Sequence, residues 1–95
     1  MILERFVWKV KQGCMQEAVA LSKSFAESAG TTCRIYTSNI GPHSTLVIDQ
    51  EFETLAQRGK FWVEWDARPE TPALWEKWLA VTETGGYTEI WNLVE

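Results

Sequence analysis

Ile2-Leu3-Glu4-Arg5-Phe6-Val7-Trp8-Lys9-Val10-Lys11 decides how this chain must fold. Alternation along it predicts a β-strand, with Ile2, Phe6, Trp8 and Val10 on one face and Leu3 and Val7 on the other. A strand with apolar groups on both faces belongs at the centre of a sheet, covered from both sides. The rest of the chain must then supply strands to flank it and cover for its two faces.

Gln12-Gly13 breaks the strand, and the spacing then turns helical from Cys14 to Ala29. Ala18, Leu21, Phe25 and Ala29 fall on one stripe, Glu17, Lys23 and Glu27 lie away from it, and Gly30 stands where a helix-ending glycine belongs. A second strand is predicted over Thr32 to Ser38, alternating Cys33, Ile35 and Thr37 against Arg34, Tyr36 and Ser38. Asn39 to His43, containing Gly41-Pro42, reads as a turn into a third strand, Ser44 to Phe52. Glu53-Thr54 opens a helix to Ala67 with Leu55, Trp62 and Trp65 on one face, and Pro69 ends it. Thr71-Pro72 restarts a helix as N-cap and first-turn proline. Its expected buried side is Leu74, Trp75, Trp78, Leu79 and Val81, and Gly85-Gly86 is expected to close it. Tyr87 to Val94 is the final strand, alternating Tyr87, Glu89, Trp91 and Leu93 against Thr88, Ile90, Asn92 and Val94.

The order β-α-β-β-α-α-β predicts an α+β fold: a ferredoxin-like βαββαβ unit with an extra helix before the last strand, one domain over residues 1–95. Helices then cover one sheet face only, and the other asks for a partner. Six tryptophans sharpen the demand. Together they represent on the order of 1,000 Å² of surface seeking cover, more than a thin two-layer domain hides by itself. Both arguments predict a homodimer closed around a tryptophan-rich cavity.

Composition excludes other roles. The net charge is −4, with 13 acids against 9 scattered bases, so no basic stripe exists to hold nucleic acid. No apolar run approaches the length of a membrane-spanning helix, and the N-terminus lacks the apolar region of a signal peptide, so the expected location is the cytosol with both cysteines reduced. Cys14 and Cys33 have no second Cys or His beside them, so no metal or other cofactor is expected.

Short stretches resemble a known family. Val10-Lys11-Gln12-Gly13 after an Arg-bearing first strand is similar to the strand-to-helix turn of NIPSNAP-type domains, and Gly41-Pro42 leads into the third strand as it does there. Glu51-Phe52-Glu53-Thr54-Leu55-Ala56, then Phe61-Trp62, Trp65-Asp66-Ala67-Arg68-Pro69 and Trp75-Glu76-Lys77-Trp78, resemble that family's acidic-aromatic strand end, double helix and closing tryptophans. Val7 departs from the pattern, since the family tends to place an aromatic residue two positions beyond the first-strand arginine. The resemblance implies a dimeric α+β barrel. Its superfamily includes cofactor-free monooxygenases, heme-degrading enzymes and small isomerases or lyases. Related heme enzymes take their histidine from the second helical segment, and residues 53–68 contain none.

No catalytic motif stands out. His43, the only histidine, and Tyr36 are weak catalytic candidates, and His43 sits in a turn where a solvated loop residue is the simpler reading. Cys14 would lie in the first turn of a helix, which can lower a thiol pKa, yet no histidine accompanies it. Asp49, Glu51, Glu53 and Glu64 lack the spacing of a metal or glycosidase pair and read as a solvated rim. Arg34 with Tyr36, and Glu89 with Trp91, place a polar group beside an aromatic one on single strand faces. With Trp62 and Trp65 they form the expected ligand-binding set, Arg34 and Tyr36 facing the barrel interior together with the helical tryptophans. An arginine there needs Glu89, another strand carboxylate or a ligand anion within reach. The expected activity is binding of a small apolar or aromatic molecule. The alternative is a cofactor-independent monooxygenase or isomerase whose aromatic substrate supplies the reactivity.

Overall fold

The computed structural model describes residues 1–95 as seven elements: β1 (Ile2–Val10), α1 (Met15–Ala29), β2 (Cys33–Thr37), β3 (Thr45–Phe52), α2 (Leu55–Asp66), α3 (Thr71–Val81) and β4 (Thr82–Asn92). The strands form one antiparallel sheet in the order β2-β3-β1-β4. β1 is central, as its two apolar faces require. The expected α+β, ferredoxin-like order, with its extra helix, is the fold of the chain.

All three helices lie on one side of the sheet, and the molecule is a slab with extents of 37 × 35 × 21 Å. Ile2, Glu4, Phe6, Trp8 and Val10 of β1 point to the helices, while Leu3, Arg5, Val7 and Lys9 point to the bare face. The core is small. Val10, Ala18, Leu46, Ile48, Trp78 and Val81 form its centre, with Phe6, Trp8, Phe25 and Ile35 partly buried around it. Only 16 of 95 residues are buried, so several aromatic side chains keep part of their surface in contact with solvent.

Local sequence explains the element ends. Gly30 closes α1 in the left-handed region at φ 71°, where glycine is favoured. Thr54 caps α2 by accepting from the Gln57 amide at 3.1 Å, and Gln57 reaches back to accept from the Glu53 amide at 2.6 Å.

Two expectations change at the C-terminal end. Thr71 is the first residue of α3 rather than its cap, because its hydroxyl donates backwards to the Trp65 carbonyl at 2.6 Å and joins the two helices. Gly85-Gly86 does not close a helix. The chain passes from α3 into β4 at Thr82, whose hydroxyl donates to the Trp78 carbonyl at 2.9 Å, and both glycines lie inside the strand. There they face a bulge: the β1–β4 register shifts between Val7 and Lys9. A Cβ on Gly86 would meet the Val7 carbonyl oxygen at 2.6 Å, so this close backbone approach needs glycine. The expected buried side of α3 also shrinks. Trp78 and Val81 are buried, whereas Trp75 is 39% and Leu79 59% exposed.

Candidate functional site

A cavity of about 510 Å³ lies between the sheet and the three helices. Phe6 and Trp8 line it from β1, Phe25 from α1, Trp62 and Trp65 from α2, and Trp75 and Trp78 from α3. Spacing explains the convergence. Residues three apart on a helix share a face, so Trp62/Trp65 and Trp75/Trp78 each point one pair of indoles at the sheet. Phe6 and Trp8, two apart on a strand, answer from the other wall. The rings hold one another at defined angles. Trp62 stacks on Phe25 at 6.1 Å and 8°, and meets the edge of Phe6 at 5.6 Å and 87°. Trp8 meets Trp78 edge-on at 5.5 Å. A space of this size with mainly aromatic walls suits a planar small molecule.

One polar cluster adjoins the aromatic wall. Glu4 is fully buried, its carboxylate accepting from Arg58 Nε and from the Trp62 indole N–H at 2.7 Å. Arg58 lines the cavity, and only its Nε is bound within the chain. Arg68 also lines the cavity, lying over the Trp65 ring at 4.7 Å and donating to the Ser28 carbonyl at 3.4 Å, and Asp66 and Glu70 line it as well.

The expected site residues divide between the two sides of the sheet. Trp62 and Trp65 line the helix-side cavity. Arg34, Tyr36, Glu89 and Trp91 lie on the bare face, so the expectation that Arg34 and Tyr36 share one site with the helical tryptophans is corrected. The physical reason is alternation. Cys33 and Ile35 turn toward the helices, which sends Arg34 and Tyr36 the other way, while α2 stays on the helix side. His43 is exposed in the loop before β3 and lines neither space.

On the bare face the register sets four charges in a line across all four strands: Arg34, Asp49, Arg5 and Glu89. Arg5 holds Asp49 through two bonds of 2.8 and 2.9 Å, which raises the arginine pKa further above its ordinary value. Arg34 turns along its strand direction to Glu51 at 3.3 Å, the strand carboxylate that its charge called for. Asp49 and Glu51 are thus ion-paired sheet residues rather than a solvated rim, and Asp49 is buried. One register step along, Tyr36, Val47, Val7 and Tyr87 form a second row, apolar and aromatic.

The cysteines carry no visible nucleophilic chemistry. Cys14 is the residue before α1 and packs against the core. Burial pushes the Cys33 thiol pKa up, partly offset by its contact with the Thr31 hydroxyl at 3.5 Å. A raised thiol pKa leaves less thiolate at mildly alkaline pH, so Cys33 should react with iodoacetamide more slowly at pH 8 than a free thiol. Rates of peptide-mapped alkylation check this, and a rate at or above that of glutathione would contradict it. The sign for stability follows: the protonated Cys33 stabilises the fold below the unfolded thiol pKa, and that contribution fades as pH rises through the folded value. No group of three or more His, Cys, Asp or Glu is placed to hold a metal ion, and no helix is long and apolar enough to cross a membrane.

Glu4 was not singled out by sequence reasoning, though a signal existed. It falls between Ile2 and Phe6 on the face that buries apolar groups, where a carboxylate demands partners. Arg58 was obscured in the same way, as one of several charges on a helix.

No protein-family model matches the chain, and no curated protein matches it in sequence. Solved structures do match. A NIPSNAP family protein from Agrobacterium tumefaciens superposes with a TM-score of 0.87 at 18% identity, over 99% of this chain and 86% of that one. An uncharacterised NIPSNAP domain protein from Burkholderia xenovorans gives 0.85 at 12% identity, over 99% and 95%. An antibiotic biosynthesis monooxygenase gives 0.74 at 13% identity over the whole of both chains. At these identities the likeness is one of fold alone: the chain is similar in fold to NIPSNAP domain proteins.

Proposed function

We propose that the chain binds a small, planar, apolar or aromatic molecule in the cavity between its sheet and its helices, and works as a homodimer joined through the bare sheet face. The observation that carries the first part is the aromatic lining on both cavity walls. A space of about 510 Å³ held open by aromatic rings has the size and chemistry of a small-molecule site. Support for the second part is the exposed row of Tyr36 and Tyr87, 49% and 58% accessible, and Trp91, 53% accessible, on the far side of the charge row. The charge row beside them is compatible with a second copy. Reversed end to end, its alternating signs fall plus against minus.

Tryptophan fluorescence during titration with quinones and phenols tests the binding. Saturable quenching, lost when Trp62 and Trp65 are both changed to Phe or Leu, is expected. Linear, non-saturating quenching that ignores those changes would end this reading. Light scattering coupled to gel filtration tests the pairing: a mass twice the 10.9 kDa of the chain is expected at micromolar concentration. A single-chain mass across a dilution series would overturn it.

A second reading makes the bound molecule a substrate for a cofactor-independent monooxygenase or isomerase. The fold shared with an antibiotic biosynthesis monooxygenase favours it. Against it, no histidine or cysteine lines the cavity. Oxygen uptake or isomer formation during the same titrations separates the two.

A further inference from the structure

The Glu4–Arg58–Trp62 cluster says more about the ligand than the aromatic walls do. Glu4 is 0% exposed and both of its oxygens are engaged, one by Arg58 and one by the Trp62 indole. The carboxylate therefore fixes two cavity-lining side chains at once. It fixes the ring plane of Trp62, and it fixes Arg58 by its Nε while the two Nη groups make no hydrogen bond within the chain. Arg58 thus offers donors to the cavity, but its charge is already balanced from behind. The other charges around the space do not alter this. Arg68 is engaged by the Trp65 ring and the Ser28 carbonyl, and the carboxylates of Asp66 and Glu70 line the same space, so the lining carries as many acids as bases.

An aromatic carboxylate entering such a space would give up strong hydration and find no net positive charge in return. A carbonyl oxygen loses far less on leaving water, and a guanidinium N–H is a good donor to it. On the reading that this cavity binds an aromatic molecule, we propose that Glu4, acting through Arg58, makes the site select neutral aromatic carbonyl compounds and turn away aromatic acids. Glu4 is a specificity-determining and positioning residue; Arg58 is the group that touches the ligand.

Calorimetric titration with three naphthalenes of one shape tests this: acetylnaphthalene, naphthoate and ethylnaphthalene. The parent protein should bind acetylnaphthalene at least about tenfold more tightly than naphthoate and about threefold or more above ethylnaphthalene. Glu4→Gln keeps the shape and an acceptor for Arg58 or Trp62, but leaves the arginine charge unbalanced. Naphthoate should then gain about tenfold or more while acetylnaphthalene moves little. A purely structural role for Glu4 would weaken all three probes together. Glu4→Gln with Arg58→Met, which leaves no charge unpaired, should erase the advantage of acetylnaphthalene over ethylnaphthalene. Thermal melts establish that each variant is folded, and the ordering in the parent protein decides without any variant. Naphthoate binding the parent as well as acetylnaphthalene, or failing to gain in Glu4→Gln, would overturn the role of Glu4 and leave the cavity as a binding site. Failure of all three probes to bind would instead remove the cavity reading, and this inference with it.

Discussion

Trp78→Ala should destabilise the fold by about 3–5 kcal/mol, while Trp75→Ala, one helical turn earlier, should cost about 1 kcal/mol. Both indoles reach the same cavity, but their surroundings differ. Trp78 is 9% exposed, belongs to the central core with Val10, Leu46 and Ile48, and carries the edge-on contact to Trp8. Its removal leaves a void bounded by the sheet and α1, which close-packed neighbours fill poorly. Trp75 is 39% exposed and meets Trp8 only at a tilted 6.3 Å. Urea unfolding followed by far-UV circular dichroism gives both values. Equal costs would mean that Trp75 is buried in the working protein, as it would be if a ligand or partner remained bound to it.

Arg58→Ala should cost about 3 kcal/mol, toward the lower end for breaking a buried ion pair because the Arg58 side chain keeps 32% of its surface in solvent. The loss comes from Glu4, which would remain fully buried with only the Trp62 N–H to hold it. Removing both charges should restore most of it: Glu4→Gln with Arg58→Met should fall within about 1 kcal/mol of the parent. The same unfolding experiment checks the pair. A double variant no better than Arg58→Ala alone would show that the loss lies in packing of the arginine stem rather than in the stranded carboxylate.

Much of this architecture is legible in the residues, and the rest is hidden for identifiable reasons. Alternation in Ile2 to Val10 is enough to place β1 at the centre and to assign its faces. The i, i+3 tryptophan pairs are enough to bring four indoles to the sheet. What alternation cannot convey is which face the helices cover, since that depends on the handedness of the crossovers. Alternation turns Arg34 and Tyr36 away from α1, and their grouping with Trp62 and Trp65 fails only at α2, whose side of the sheet no strand pattern reveals. Gly85-Gly86 misled for another reason: a glycine pair after a helix commonly marks a stop, and here it admits a strand bulge against Val7 and Trp8. The burial of Asp49 depends on Arg5, 44 positions away, and no local pattern announces a bond at that distance.

The charge row on the bare face also limits how this sequence can drift. Arg34, Asp49, Arg5 and Glu89 come from four separate strands, yet each stands beside its opposite. Reversing Arg5 alone would set three carboxylates side by side across the sheet, and reversing Asp49 alone would set three cations there. A change of sign at either centre becomes acceptable only when the rest of the row changes too. Four positions scattered along 95 residues are thereby bound to vary as a unit. Descendants of this chain should reverse all four signs together or keep all four.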